Sequence, residues 1–167
     1  MNLIDTHAHI YSTKFDSDRD QVIDEIRGAG IERIFMPNVD VDTIDRMLDC
    51  EARYGDLCIP MMGLHPCSVK ENWREELEIV ENWLSKRSFI AVGEIGLDFY
   101  WDSSFAKEQY EVFRLQIEMA LKYNLPIVIH TRNAMQETIN VVKEYKGRGL
   151  RGIFHCFGGS YESAKQI

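Results

Sequence analysis

The sequence predicts an α/β protein of parallel βα units, arranged as a TIM-type (β/α) barrel with six of its eight units present. Three observations carry that expectation. Short apolar runs alternate with amphipathic stretches six times along the 167 residues, the pattern of βα units joined by right-handed crossovers. Polar, reactive residues follow several different apolar runs, and such barrels draw their reactive groups from strand ends. No Gly-x-Gly-x-x-Gly follows the first run and no Walker A sequence occurs, so the nucleotide-binding versions lose support.

Strands are expected at Leu3–Asp5, Arg33–Pro37, Ile59–Gly63, Phe89–Glu94, Pro126–His130 and Gly152–His155. Each is rich in Ile, Val, Leu, Met or Phe and too short for a helix, as strands buried on both faces are. Between them lie helical periodicities. Asp18–Ala29 aligns Val22, Ile26 and Ala29, and Gly30 stands where a helix should stop. Asp42–Tyr54 uses Ile44, Met47 and Leu48 and ends at Gly55. Trp73–Lys86 places Trp73, Leu77, Val80 and Leu84 on one face, and Phe105–Asn124 does the same with Ala106, Tyr110, Phe113, Ile117 and Ala120. Asn133–Lys146 carries Ala134, Thr138, Val141, Val142 and Tyr145, and Tyr161–Ile167 reads as the first turns of a sixth helix. Residues 1–167 form a single domain on this reading. A full barrel needs eight units and roughly 250 residues, so its last two strands are expected to be absent from this chain.

The hydrophobic fraction of 45% and charged fraction of 28% are those of a globular protein with a sizeable core. A net charge of −8 argues against a protein that coats nucleic acid electrostatically. It is compatible with an enzyme that grips a few phosphates through metal ions, which bring their own positive charge. Cys50, Cys58, Cys67 and Cys156 show no CxxC pairing and are read as reduced thiols of a cytoplasmic protein. No signal peptide, membrane span or obligate protein partner is expected.

All five histidines fall at or just beyond expected strand ends. His7 and His9 stand two apart after the first run, so a two-residue period turns both imidazoles to one side, where they could grip one metal ion. His130 and His155 each follow an apolar triplet. Either alone reads equally as a histidine bonded to backbone; together with His7 and His9 they point to a shared metal. Glu94 follows a buried run, where an ionised carboxylate is costly without a partner. A cation would be that partner, and its two oxygens could bridge two ions. Gly93 and Gly96 would let backbone or substrate approach closely.

Asp98 is read either as an acceptor behind a ligand histidine or as a turn cap. His65 is placed at the rim against a substrate phosphate or leaving oxygen, or else is a turn histidine ahead of Pro66. Arg132 is either a phosphate fork or a surface residue. Gly158-Gly159-Ser160 could hold a phosphate on free backbone N–H groups. Phe99, Tyr100 and Trp101 could stack on a base or pack in a loop. These side chains alone support metal-assisted hydrolysis and no narrower activity.

Asp5-Thr6-His7-Ala8-His9, Gly63-Leu64-His65-Pro66, Gly93-Glu94-Ile95-Gly96-Leu97-Asp98, His130-Thr131-Arg132 and Phe154-His155-Cys156-Phe157-Gly158-Gly159-Ser160 occur in this order across nearly the whole chain. Taken together they resemble the TatD family of metal-dependent deoxyribonucleases, within the amidohydrolase-like barrels. The resemblance implies two divalent ions (Zn, Mn or Mg) held by His7, His9, Glu94, His130 and His155, with Glu94 as the bridging, catalytic carboxylate. It implies DNA as substrate, cut at phosphodiester bonds with 3′ to 5′ exonuclease action. It also implies a further metal-ligating aspartate in a Thr-Asp motif near the last barrel strand, beyond Ile167. Two other readings stand beside it. One is a related barrel hydrolase of amides, lactones or phosphotriesters; many of these bridge their metals with a carboxylated lysine where Glu94 stands here, which favours the nuclease branch. The other is a non-catalytic truncated fragment, unstable or oligomeric because unpaired strand edges invite association.

Overall fold

The computed structural model describes residues 3–167. The chain runs β1 (Leu3–Asp5), α1 (Arg19–Gly28), β2 (Ile31–Pro37), α2 (Val41–Tyr54), β3 (Cys58–Met61), α3 (Trp73–Lys86), β4 (Val92–Asp98), α4 (Ala106–Lys122), β5 (Ile127–Arg132), α5 (Met135–Lys143), β6 (Gly152–Phe154) and α6 (Tyr161–Ala164). The strands pair in parallel as two sheets, β1-β2-β3 and β4-β5-β6. A parallel bridge between Met62 and Val92 links them, so spatial order follows chain order throughout. One apolar cluster joins both halves, running from Ile23 and Met36 through Leu77 and Val92 to Phe113 and Ile129. No described helix is long and apolar enough to cross a membrane.

Helices α1 to α5 form because each turns apolar residues inward, whereas α6 buries none. On α1 the expected stripe is corrected, since Ile23 is its buried residue, Val22 and Ile26 are half-buried and Ala29 is exposed beyond the last turn. On α3 the four stripe residues, Trp73, Leu77, Val80 and Leu84, are all buried. On α2 an Asp40–Thr43 capping box satisfies the first-turn N–H groups. On α4 the buried face is Val112, Phe113, Ile117 and Ala120 together with Gln109 and Gln116. Two polar residues on the buried face were not expected, and they bear on the site.

The structure corrects the expected strands in two places. Glu94 does not end the fourth strand. Pairing continues past it, Ile95 with Ile129, Gly96 with His130, Leu97 with Thr131 and Asp98 with Arg132. His130 likewise lies inside β5 instead of at its end. Gly96 makes the extension possible: its φ is +144°, and a Cβ there would overlap the carbonyl oxygen of His130. The second correction concerns burial on both faces. That holds for β4, buried along all seven residues. It fails for β1 and β6, where Ile4 is 49% and Ile153 50% exposed, because among the described residues each of these strands has a neighbour on one side alone.

Candidate functional site

Glu94 is the hub. It is 3% exposed and is reached by imidazoles from three directions. His7 Nε2 lies 3.2 Å from Glu94 Oε2, His65 Nε2 3.9 Å from the same oxygen, and His130 Nδ1 3.3 Å from Oε1. His9 stands edge-on to His7 at 5.3 Å between ring centres, and His155 lies flat against His7 at 3.4 Å. All five histidines and the glutamate thus meet at one mouth. Burial alone would raise the pKa of Glu94, but hydrogen bonds from the imidazoles of His130 and His7, when these rings donate toward it, hold it well below the usual carboxylate range.

Each position has a structural cause. After β1 the chain is tethered by Ala8 N–H to Phe35 O at 3.0 Å, which fixes His7 and His9 beside β2. His65 follows β3, and its N–H donates to Val39 O at 2.8 Å. His130 is set by the β4–β5 register. His155 N–H donates to Ile129 O at 2.9 Å, just past β6. Gly63 and Gly93 allow close packing, but of strand on strand and not of substrate. A Cβ on Gly63 would come within 3.0 Å of the Gly93 backbone, and one on Gly93 within 2.8 Å of Val128 Cβ.

The lone pairs that face the centre follow from what the opposite ring nitrogens do. Tyr11 Oη donates to Pro37 O, so toward His9 Nδ1, 2.9 Å away, it is the acceptor. That leaves the Nε2 lone pair of His9 free. Asp98 Oδ2 lies 2.7 Å from His130 Nε2, so the neutral ring keeps its proton there and turns the Nδ1 lone pair toward Glu94. His65 is arranged the opposite way. Its Nδ1 accepts from Cys67 N–H at 3.2 Å, so a neutral ring carries its proton on Nε2. The His65 pKa is pushed down to about 4, by burial first and by His130 second, so the ring is neutral near pH 7 and presents a donor.

Two groups of side chains have ligand atoms within 4.8 Å of one another: His7, His9 and Glu94, and His65, Glu94 and His130. Distance alone would count His65 as a ligand, but its tautomer argues against that. His155 joins neither group. Its pKa is lowered by burial and by His7. For His130 burial works downward, but the carboxylates of Glu94 and Asp98 outweigh it and raise the pKa. His7 Nδ1 and Glu94 Oε1 are buried without a hydrogen-bond partner among the described residues. A buried carboxylate oxygen facing an imidazole lone pair is what a cation between them would satisfy.

Of the other candidates, Asp98 fills both expected roles. One oxygen holds His130, and the other accepts from the N–H groups of Tyr100 and Trp101 at 2.9 and 3.2 Å. Arg132 stacks its guanidinium on Tyr100. The Gly158-Gly159-Ser160 segment opens a helix of four residues that Ser160 caps with its own side chain. Three positioning residues escaped the sequence reading: Tyr11, Gln109 and Gln116. Gln116 exchanges two hydrogen bonds with the backbone of Leu64 (2.7 and 3.0 Å), and Gln109 does the same with Asp98 (2.9 and 3.0 Å). They lie seven apart on α4, so one helix face clamps both the loop at Leu64 and the end of β4 at Asp98. Their seven-residue spacing on an otherwise apolar stripe was the available signal.

The family model of TatD related DNase matches residues 4–167. Among curated proteins, the uncharacterized metal-dependent hydrolase YabD of Bacillus subtilis is 37% identical over 164 residues, covering 98% of this chain and 64% of its own length. The 3′-5′ ssDNA/RNA exonuclease TatD of Erwinia tasmaniensis is 27% identical over 158 residues, covering 95% and 61%. Among solved structures, the TatD homolog YjjV of Escherichia coli K12 superposes with a TM-score of 0.88 at 28% identity, covering 98% of this chain and 63% of that one. The chain therefore spans somewhat under two thirds of the length of these relatives.

Proposed function

The chain belongs to the TatD-related DNase family, and from that premise we propose that it forms most of the centre of a metal-dependent phosphodiesterase acting on DNA, with 3′ to 5′ exonuclease action, on a TIM-type barrel. The observation that carries this reading is the buried, unpartnered Oε1 of Glu94, with the Nδ1 lone pair of His130 3.3 Å away and two further imidazoles beside it. Two divalent ions suit this donor set. His7, His9 and Glu94 would hold one; Glu94, His130 and His155 would hold the other. Zn, Mn and Mg all accept imidazole or carboxylate donors, with geometry deciding among them. Such ions supply Lewis acidity toward water and the phosphoryl oxygens.

The chain's own residues do the rest. Tyr11 and Asp98 fix the tautomers of His9 and His130, so that lone pairs and not protons face the centre. Glu94 stays ionised because its pKa is depressed. His65 offers its Nε2 proton to a phosphate or leaving oxygen, the donor role its tautomer allows. Arg132, two residues beyond His130 at the end of β5, would bring its guanidinium to the same rim.

The experiment is digestion of single-stranded DNA labelled at its 5′ end. Shortening from the 3′ end should proceed with Mn, Zn or Mg and stop with chelator. Equal nucleotide release with and without chelator would overturn the reading.

A further inference from the structure

We propose that Tyr100, Trp101 and Arg132 form a stacking platform for a nucleobase next to the scissile phosphodiester of a single strand. The proposal deepens the phosphodiesterase reading and rests on it. Phe99, Tyr100 and Trp101 are consecutive aromatics, and the fold treats them differently. Phe99 packs against the core beside Tyr110, at 5.9 Å between ring centres. Tyr100 and Trp101 remain 51% and 69% exposed and meet each other edge-on at 4.9 Å. Loop packing therefore accounts for one of the three and leaves two large rings in water.

Arg132 completes the surface. Its guanidinium lies 3.8 Å from the Tyr100 ring centre and 5.1 Å from that of Trp101. Most arginines of this acidic chain are paired with carboxylates, such as Arg87 with Glu51 and Arg148 with Glu118. Arg132 makes no salt bridge among the described residues. Aromatic faces beside an uncommitted guanidinium are what a base and its phosphate require: a π-surface to stack on and a positive plane.

The platform is also built, and it is wired to the centre. The carboxylate of Asp98 receives the N–H groups of Tyr100 and Trp101 on one oxygen and holds His130 on the other. Gln109 clamps the Asp98 backbone from α4. Lys70 Nζ pairs with Asp102 Oδ2 at 2.8 Å and pins the far side of the loop. A base stacked there would sit at a fixed offset from Glu94, so its phosphate would be presented in one register.

The test separates base from backbone. Binding of the full chain to oligodeoxythymidylate, and to an abasic strand with the same phosphates, is measured by fluorescence anisotropy in chelator, where no cutting occurs. The wild type should prefer the base-bearing strand by about tenfold or more. Tyr100→Leu/Trp101→Leu should bind both strands equally, near the abasic level, with an unchanged melting temperature. Arg132→Lys keeps the charge but loses the stacked plane, and should retain only part of the wild-type preference. Equal wild-type affinity for the two strands, no binding to either, or an undiminished preference in the double variant overturns the platform. Base preference without metal-dependent cutting would sink the phosphodiesterase reading and leave the platform standing. Cutting without base preference would do the reverse.

Discussion

Strand β4 is buried at every residue from Val92 to Asp98, whereas β1 is exposed at all three of its residues and β6 at two of three. Both kinds of strand deliver side chains to one site. In the centre, Glu94 and His130 are placed by strand pairing and burial, with the register through Gly96 and His130 doing the aiming. At the outer strands, His7, His9 and His155 lie just past the strand ends and are held by single tethers: Ala8 to Phe35, His9 through Tyr11 to Pro37, His155 to Ile129. The difference separates two kinds of dependence. Changes in the β4–β5 pair should cost both fold and chemistry; changes at the outer strands should cost chemistry with little loss of fold.

The strongest way to break the comparison is Glu94→Gln, which keeps the shape and removes the charge. Metal-dependent cutting should fall by on the order of 10³-fold, since metal-held stabilisation of developing charge depends on that carboxylate. Single-turnover rates with saturating metal would check it, and a loss below tenfold would count against Glu94 as the hub. Next comes Gly96→Ala, which should lower stability by about 3 kcal/mol, at the upper end of overpacking costs, because the new methyl meets the His130 carbonyl. Chemical denaturation would measure it.

Third, Asp98→Asn should weaken metal binding roughly 10- to 100-fold, and Tyr11→Phe should fall near the lower end of that range. Calorimetric titration of the two variants reads the two metal positions separately, since Asp98 acts through His130 and Tyr11 through His9. Equal losses at both positions from either variant would mean that the tautomer argument is wrong. Smallest of all, Ile153→Ser on the exposed outer strand should shift stability within about 0.5 kcal/mol. A larger loss would show that β6 carries more of the fold than its exposure suggests.

Much of this was legible before any coordinates. The alternation of apolar runs and amphipathic stretches located all six strands, and the face of α3 came out residue for residue, because burial on a helix leaves a 3.6-residue period in the sequence. His7, His9, Glu94, His130 and His155 were singled out, and the structure brings them to one mouth. The length of β4 was missed because Gly-Glu-Ile-Gly reads as the end of a strand; the backbone of β5 keeps it extended. Gln109 and Gln116 were missed for a similar reason: a buried amide looks polar in one dimension and finds its partners, Asp98 and Leu64, only in three.

By itself, then, the order of residues determined the class of fold and the face of α3, and it picked out the histidines and the glutamate that gather at the candidate site, since each of these is a local or periodic property of the chain. The tertiary structure alone decided which ring nitrogens of His9, His65 and His130 turn inward, which aromatic of Phe99-Tyr100-Trp101 is packed and which two stay in water, and how far β4 runs past Glu94. Those are outcomes of contacts between residues far apart in the chain, such as Tyr11 with Pro37 and Asp98 with His130, and no periodicity records them.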